Sequence, residues 1–267
     1  MVAARLAARP ARHRRLLSDA WAPLPWILGP LLLWEAGGRY FHLPDYILPL
    51  PSQVVWRIVE DREILLLQAG RTTLLVLAGF LLGAVPGLVL GLALAASRLL
   101  EKALYPLIVF VQTTPQIAIA PLLIVWFGYG GIPKIILAGM LSFFPVLVDS
   151  STGFKTIDPR LFLVTRSMGA GRWQTFTRVQ LPSALPLIVS GCRIGILTAV
   201  TVVIVVEFLS SSEGLGYVAV RAMSNQDLPL MFAAVTVGIG IGLALNALVD
   251  AVAHLLMPWA RARGREG

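Results

Sequence analysis

Charge is scarce in this chain. Only 13% of its 267 residues are Asp, Glu, Lys or Arg, against about a quarter in a typical soluble domain. Long uncharged runs take their place, and 57% of residues are hydrophobic. That composition excludes an ordinary soluble domain. It points to a membrane protein with several spans of about 20 residues each. Cysteine occurs once, at Cys192 inside an apolar run. Disulfide staples are therefore excluded, and a small core residue is expected there. His13, His42 and His254 stand far apart, so no metal site is expected. No Gly-x-x-x-x-Gly-Lys stretch occurs, so the chain lacks a phosphate cradle of its own. No cofactor is expected.

What the chain does contain is a series of apolar segments. The first runs from Ala20 to Trp34, with Pro23, Pro25 and Pro30, of which Pro30 should kink a helix. Ser52 follows Pro51 as a plausible helix N-cap. Behind it Val54, Val55, Ile58 and Val59 oppose Arg57, Glu60 and Asp61. This amphipathic helix either lies on the membrane surface or simply connects two spans. The second span, Thr72–Ser97, carries Gly79, Gly83, Gly87 and Gly91 at every fourth position. Such a strip suits close helix packing in lipid, where no hydrophobic force draws helices together.

Ala103–Pro133 is uncharged but too long for one straight span. Gln112-Thr113-Thr114-Pro115-Gln116 breaks it with polar groups and a proline. Irregular backbone at membrane depth survives only against protein or a water-filled path. Gln112, Thr113, Thr114 and Gln116 are therefore candidates to line a pathway; the alternative is a short cytoplasmic turn. Ile135–Val148, Leu181–Val206 and Leu228–Val249 complete six spans. The last has a small-residue face of Ala234, Gly238, Gly242 and Asn246.

The net charge of +8 suggests topology rather than nucleic acid, and no nucleic-acid partner is expected. With the N-terminus inside, Arg5, Arg9, Arg12, Arg14, Arg15, Arg98, Lys102, Lys155, Arg160, Arg166, Arg172, Arg178, Arg261, Arg263 and Arg265 fall on the cytoplasmic side. Only Arg39, Arg57, Arg62, Arg71, Lys134 and Arg221 fall outside. The positive-inside bias thus predicts both termini in the cytoplasm. The expected organisation is a basic tail (1–18), one membrane domain (19–258) with a cytoplasmic loop at 155–182, and a short tail (259–267). The basic start is expected to be a retained anchor rather than a cleaved leader.

That loop has a design of its own. Asp158-Pro159 reads as a helix cap followed by a first-turn proline. Leu161, Phe162, Val164, Thr165 and Met168 give an apolar side, and Gly169 should stop the helix. A second helix from Arg172 places Trp173, Phe176 and Val179 on one face, and Leu181-Pro182 should close it. Apolar groups facing the cytosol suit a docking surface; the alternative is a pair of helices resting on lipid.

Gly169, followed nine residues later by Val179-Gln180-Leu181-Pro182, resembles the EAA–Gly–Ile-x-Leu-Pro motif of ABC importer permeases. Leu163, Val164 and Thr165 occupy the EAA positions, so the usual glutamate is missing. ILPLPSQVVWRIV, the stretch from Ile119 through Trp126-Phe127-Gly128 to Phe143-Phe144-Pro145, and SSSEGLGYVAV are similar to the nitrate/sulfonate/taurine branch. The resemblance covers about Leu48 to Pro258. It implies an all-α, type I importer permease in the cell inner membrane. Its partners would be two ATP-binding subunits, a second permease copy, an extracytoplasmic solute-binding protein and the lipid bilayer. Arg166, Ser167, Met168, Gly169, Ala170, Gly171, Arg172 and Trp173 would couple to the ATPase. The solute would be nitrate, a sulfonate, taurine or a similar anion, or alternatively a pyrimidine, riboflavin or other vitamin precursor. A self-contained secondary transporter would instead want paired broken helices. Arg193, inside the fifth span, is either an anion contact in the pathway or a partner of Asp149 or Asp250. Glu207 is expected to anchor an outer loop shaped by Gly214 and Gly216.

Overall fold

The computed structural model describes residues 24–258, apart from 43 and 211. Both charged tails, with the basic anchor expected at 1–18, lie outside the described residues. Every element among the described residues is helical. The first is α1 (Leu24–Tyr40), followed by α2 (Pro51–Glu60) and α3 (Arg62–Ala96). Next come α4 (Arg98–Thr113), a 3-10 turn (Gln116–Ile119), α5 (Ala120–Phe127) and α6 (Gly131–Lys155). The chain ends with α7 (Pro159–Ser167), α8 (Arg172–Thr175), α9 (Leu181–Ser210), α10 (Leu215–Ser224) and α11 (Leu228–Leu256).

Among the described residues, four helices are long and apolar enough to cross a membrane: α3, α6, the continuous run 172–209 that includes α9, and α11. The pair of segments 98–113 and 116–127, bent by 74°, adds a fifth if it counts as one broken span. The first expected span, from Ala20, is described only from Leu24, as the 17-residue α1. It runs on through Pro30 and past Glu35 to Tyr40.

The core is a sandwich of α3, α6 and α9, with α11 closing the far side of α9. Val76, Leu137, Ile196, Val203 and Val206 are buried at its centre. The Gly79–Gly91 strip lies against the α6 backbone. A Cβ on Gly87 would sit 2.8 Å from the Phe143 carbonyl oxygen, and one on Gly91 2.8 Å from that of Leu147. The face on α11 is less tight. Gly238 is close only to the tip of Ile204, and Gly242 makes ordinary contacts with Leu197 and Val200.

Two sequence expectations need correction. Ser52 is not the cap of α2. Leu50 holds that position, and Pro51 opens the helix. Ser52 therefore lies inside the first turn, and its hydroxyl donates to Glu35 of α1 at 2.9 Å. Nor is α2 a free surface helix, because Val54 is buried against Leu65, Leu215 and Ala233. Arg57 pairs with Asp227 at the start of α11. The second correction concerns Leu181-Pro182, which does not close a helix. A π-helical segment, Phe176–Gln180, joins α8 to α9 without a break. Proline at the second position of α9 is sterically tolerated because the wider π turn precedes it.

Candidate solute pathway and coupling elbow

The break at 114–116 begins where α4 ends. Thr114 is extended (φ −74°, ψ 134°), the conformation that the following proline imposes. Pro115 then caps the 3-10 turn. The chain bends here, and the bend exposes a cavity of about 700 Å³ between the break, α6 and α9. Its lining includes Gln112, Thr114, Gln116, Asp149 and Thr198. Thr113 is not among the lining residues; its hydroxyl donates to the Phe110 carbonyl at 2.8 Å. Asp149 was missed by sequence reasoning as a lining residue. It stands on α6 beside Gly191 of α9, and only that helix pairing turns it toward the break.

Arg193 does not line the cavity. Its Nε donates to Asp250 Oδ1 on α11, so of the two partners open to it, the structure selects Asp250. Asp250→Asn should therefore destabilise the protein, and adding Arg193→Met should restore part of the loss, read as melting temperature.

At the other end of α9, Glu207 is 1% exposed. It accepts from Thr72 Oγ1 at 3.0 Å and from the Gly216 N–H at 2.8 Å. Thr72 Oγ1 in turn accepts from the Leu215 N–H, and Gln68 Oε1 from the Gly214 N–H. Gly214 has φ +104°, a conformation that glycine alone adopts readily. The loop into α10 is thereby fastened to α3 and α9.

The segment after α6 forms an elbow. Asp158 Oδ1 accepts from the Arg160 N–H and caps α7. The helix ends in a Schellman motif. The Ala170 N–H reaches the Thr165 carbonyl, the Gly169 N–H reaches that of Arg166, and Gly169 has φ +76°. Gln174 then accepts from the Gly171 N–H and starts α8. Phe176 stacks on Phe154 at the end of α6, at 6.2 Å. Met168 and Trp173 are 79% and 74% exposed, while Arg166, Ser167, Gly169, Gly171 and Arg172 are also exposed and Ala170 is half-buried.

The chain is similar to known proteins. The formylaminopyrimidine transport permease protein ThiX of Halalkalibacterium halodurans is 34% identical over 91% of this chain and 97% of its own. The riboflavin transport system permease protein RibX of Chloroflexus aurantiacus is 36% identical over 86% of each chain. A putative aliphatic sulfonates transport permease protein, SsuC of Bacillus subtilis, is 30% identical over 88% of each. Among solved structures, an inward-facing MetNI methionine ABC transporter matches in fold, with a TM-score of 0.58 at 20% identity, over 72% of this chain and 98% of that one. Residues 87–262 match the family described as "Binding-protein-dependent transport system inner membrane component". The chain therefore belongs to that family, and it is an inner-membrane permease of an ABC importer rather than its ATPase.

Proposed function

We propose that this permease carries a small organic solute along the cavity beside the 114–116 break, driven by an ATP-hydrolysing partner that grips the elbow around Gly169. One observation carries the reading. Exposed apolar side chains stand along the elbow, Leu163 and Val164 on α7, Met168 in the turn and Trp173 on α8, and α8 continues, with no break, into a 38-residue helix, 172–209. Thr198 of that helix lines the cavity. A push on the elbow is thus carried to the cavity by a stiff rod, the kind of shared element that coupling between two sites requires.

On this reading the elbow and both termini face the cytoplasm, as the charge bias favours. Gln112, Thr114 and Gln116 line the path, and Arg166 to Trp173 meet the partner. A second copy of the chain covers the exposed apolar side of α4 and α5, where Phe110, Val125 and Trp126 stand unpartnered in one protomer. A binding protein delivers solute near the 212–216 loop. The membrane domain spans 19–258, and the basic tail 1–18 acts as a cytoplasmic anchor. The relatives' solutes, an aminopyrimidine derivative, riboflavin and aliphatic sulfonates, define the range of chemistry.

Gly169→Val tests the coupling. A β-branched residue is strained at positive φ, whereas asparagine tolerates it. Co-purification of the ATPase with the permease should fall at least about tenfold for Gly169→Val, the factor given by about 1.4 kcal/mol. Gly169→Asn should retain most of it. ATPase recovery unchanged by Gly169→Val and by Trp173→Ala would refute docking at this elbow.

A further inference from the structure

The polar groups around the cavity share a property that their residue names conceal. Thr198 Oγ1 donates its proton to the Ile194 carbonyl at 2.8 Å. Thr114 Oγ1 donates to the Phe110 carbonyl at 3.3 Å. Gln116 Nε2 donates to the Val111 carbonyl at 3.2 Å. The hydroxyls have thus committed their single protons to backbone, and what they offer the cavity is lone pairs. Gln116 likewise keeps its carbonyl oxygen free as an acceptor. Asp149, which makes no ion pair with another described residue, adds two more acceptor oxygens and the lining's only charge. The uncommitted donors of the lining, among the described residues, are the amide of Gln112 and the second N–H of Gln116.

The neighbouring cations do not offset this balance. Arg193 is held by Asp250 on the far side of α9. Lys155, at the end of α6, pairs with Glu101 at 2.9 Å. A free sulfonate or nitrate brings only acceptors and a negative charge. In this cavity it would face lone pairs and a carboxylate, with only the Gln112 amide and one N–H of Gln116 to meet it. A solute bearing N–H groups would satisfy the lining, and a positive charge would be drawn to it.

We propose that the cavity selects neutral or cationic solutes that donate hydrogen bonds through N–H groups, as amino-substituted heterocycles and amines do, with Asp149 as the specificity-determining carboxylate. The inference rests on the pathway reading above. It narrows the solute away from the anions that the sequence resemblance placed first.

Charge-selective thiol chemistry tests it without knowledge of the solute. In a Cys192→Ser background, Thr114→Cys is introduced and the permease is co-expressed with its ATPase. In membrane vesicles of both orientations, the thiol is treated with two methanethiosulfonates of similar size. One carries a trimethylammonioethyl group and the other a sulfonatoethyl group. Relative to a free thiol in solution, the cationic reagent should react at least about tenfold faster than the anionic one, because a cleft with walls of low dielectric focuses the field of its charge. Asp149→Asn should reduce that preference below about threefold, and Asp149→Glu should retain it. Equal rates, or faster reaction of the anionic reagent, with Asp149 present would overturn the proposal while leaving the pathway intact. If neither reagent reaches the thiol from either face, the pathway reading itself fails, and this inference with it.

Discussion

Gly83→Leu is expected to destabilise the permease by about 3 kcal/mol or more, the upper end of the cost of overpacking. A Cβ at this position would collide with the carbonyl oxygen of Gly139 and would lie 2.5 Å from Ser142 Oγ and 2.9 Å from the Phe143 nitrogen. Two of those three atoms are backbone, so no rotamer change relieves the clash, and α3 and α6 must separate. That contact is the most extensive between any two helices among the described residues. Gly70 provides the control on the same helix, with nothing within 4 Å of its would-be Cβ. There, alanine should gain up to about 1 kcal/mol from helix propensity. Melting temperatures of the purified permease–ATPase complex would report both. Equal tolerance at Gly70 and Gly83 would show that these faces of α3 and α6 do not meet.

Glu207→Ala should rank beside it, at about 3–5 kcal/mol, the range for removing one partner from a buried charged network. The substitution strips the acceptor from Thr72 Oγ1 and from the Gly216 N–H. It also removes the negative charge that acts on Lys134, itself 3% exposed. Glu207→Gln keeps one acceptor oxygen and should lose markedly less. Gly214→Ala should mimic the loss from the other side, because its methyl group would lie 2.5 Å from Glu207 Oε2 in a backbone conformation hostile to side chains. The 212–216 loop should then come loose from α3. Faster proteolysis near residues 212–216 would reveal this, and wild-type protection in Glu207→Ala would rule out the anchoring role.

Local signals were the most legible part of the sequence. Asp158-Pro159 starts α7, and Gly169 ends it at positive φ, because capping and chain reversal depend on a few neighbouring residues and their sterics. The polar break at 112–116 was legible for the same reason: a proline and four hydrogen-bonding side chains interrupt an otherwise uncharged run. Ser52 shows the limit of such rules. Pro51 opens α2 one residue before it, and the serine hydroxyl donates to Glu35, a partner distant in sequence. The π segment at 176–180 likewise erased a boundary that Pro182 alone suggested.

Composition, charge bias and glycine spacing by themselves determined that the chain is a helical membrane protein with an elbow between two of its apolar segments. These properties are sums or short-range patterns, and they survive without knowledge of which helix touches which. Only the tertiary structure decided that Arg193 answers to Asp250 and leaves Asp149 to the cavity. The difference is geometric. Two carboxylates were open to one guanidinium, and the rotation of α9 between α6 and α11 chose between them through the close approach of Gly191 to α6, a contact that no local stretch encodes.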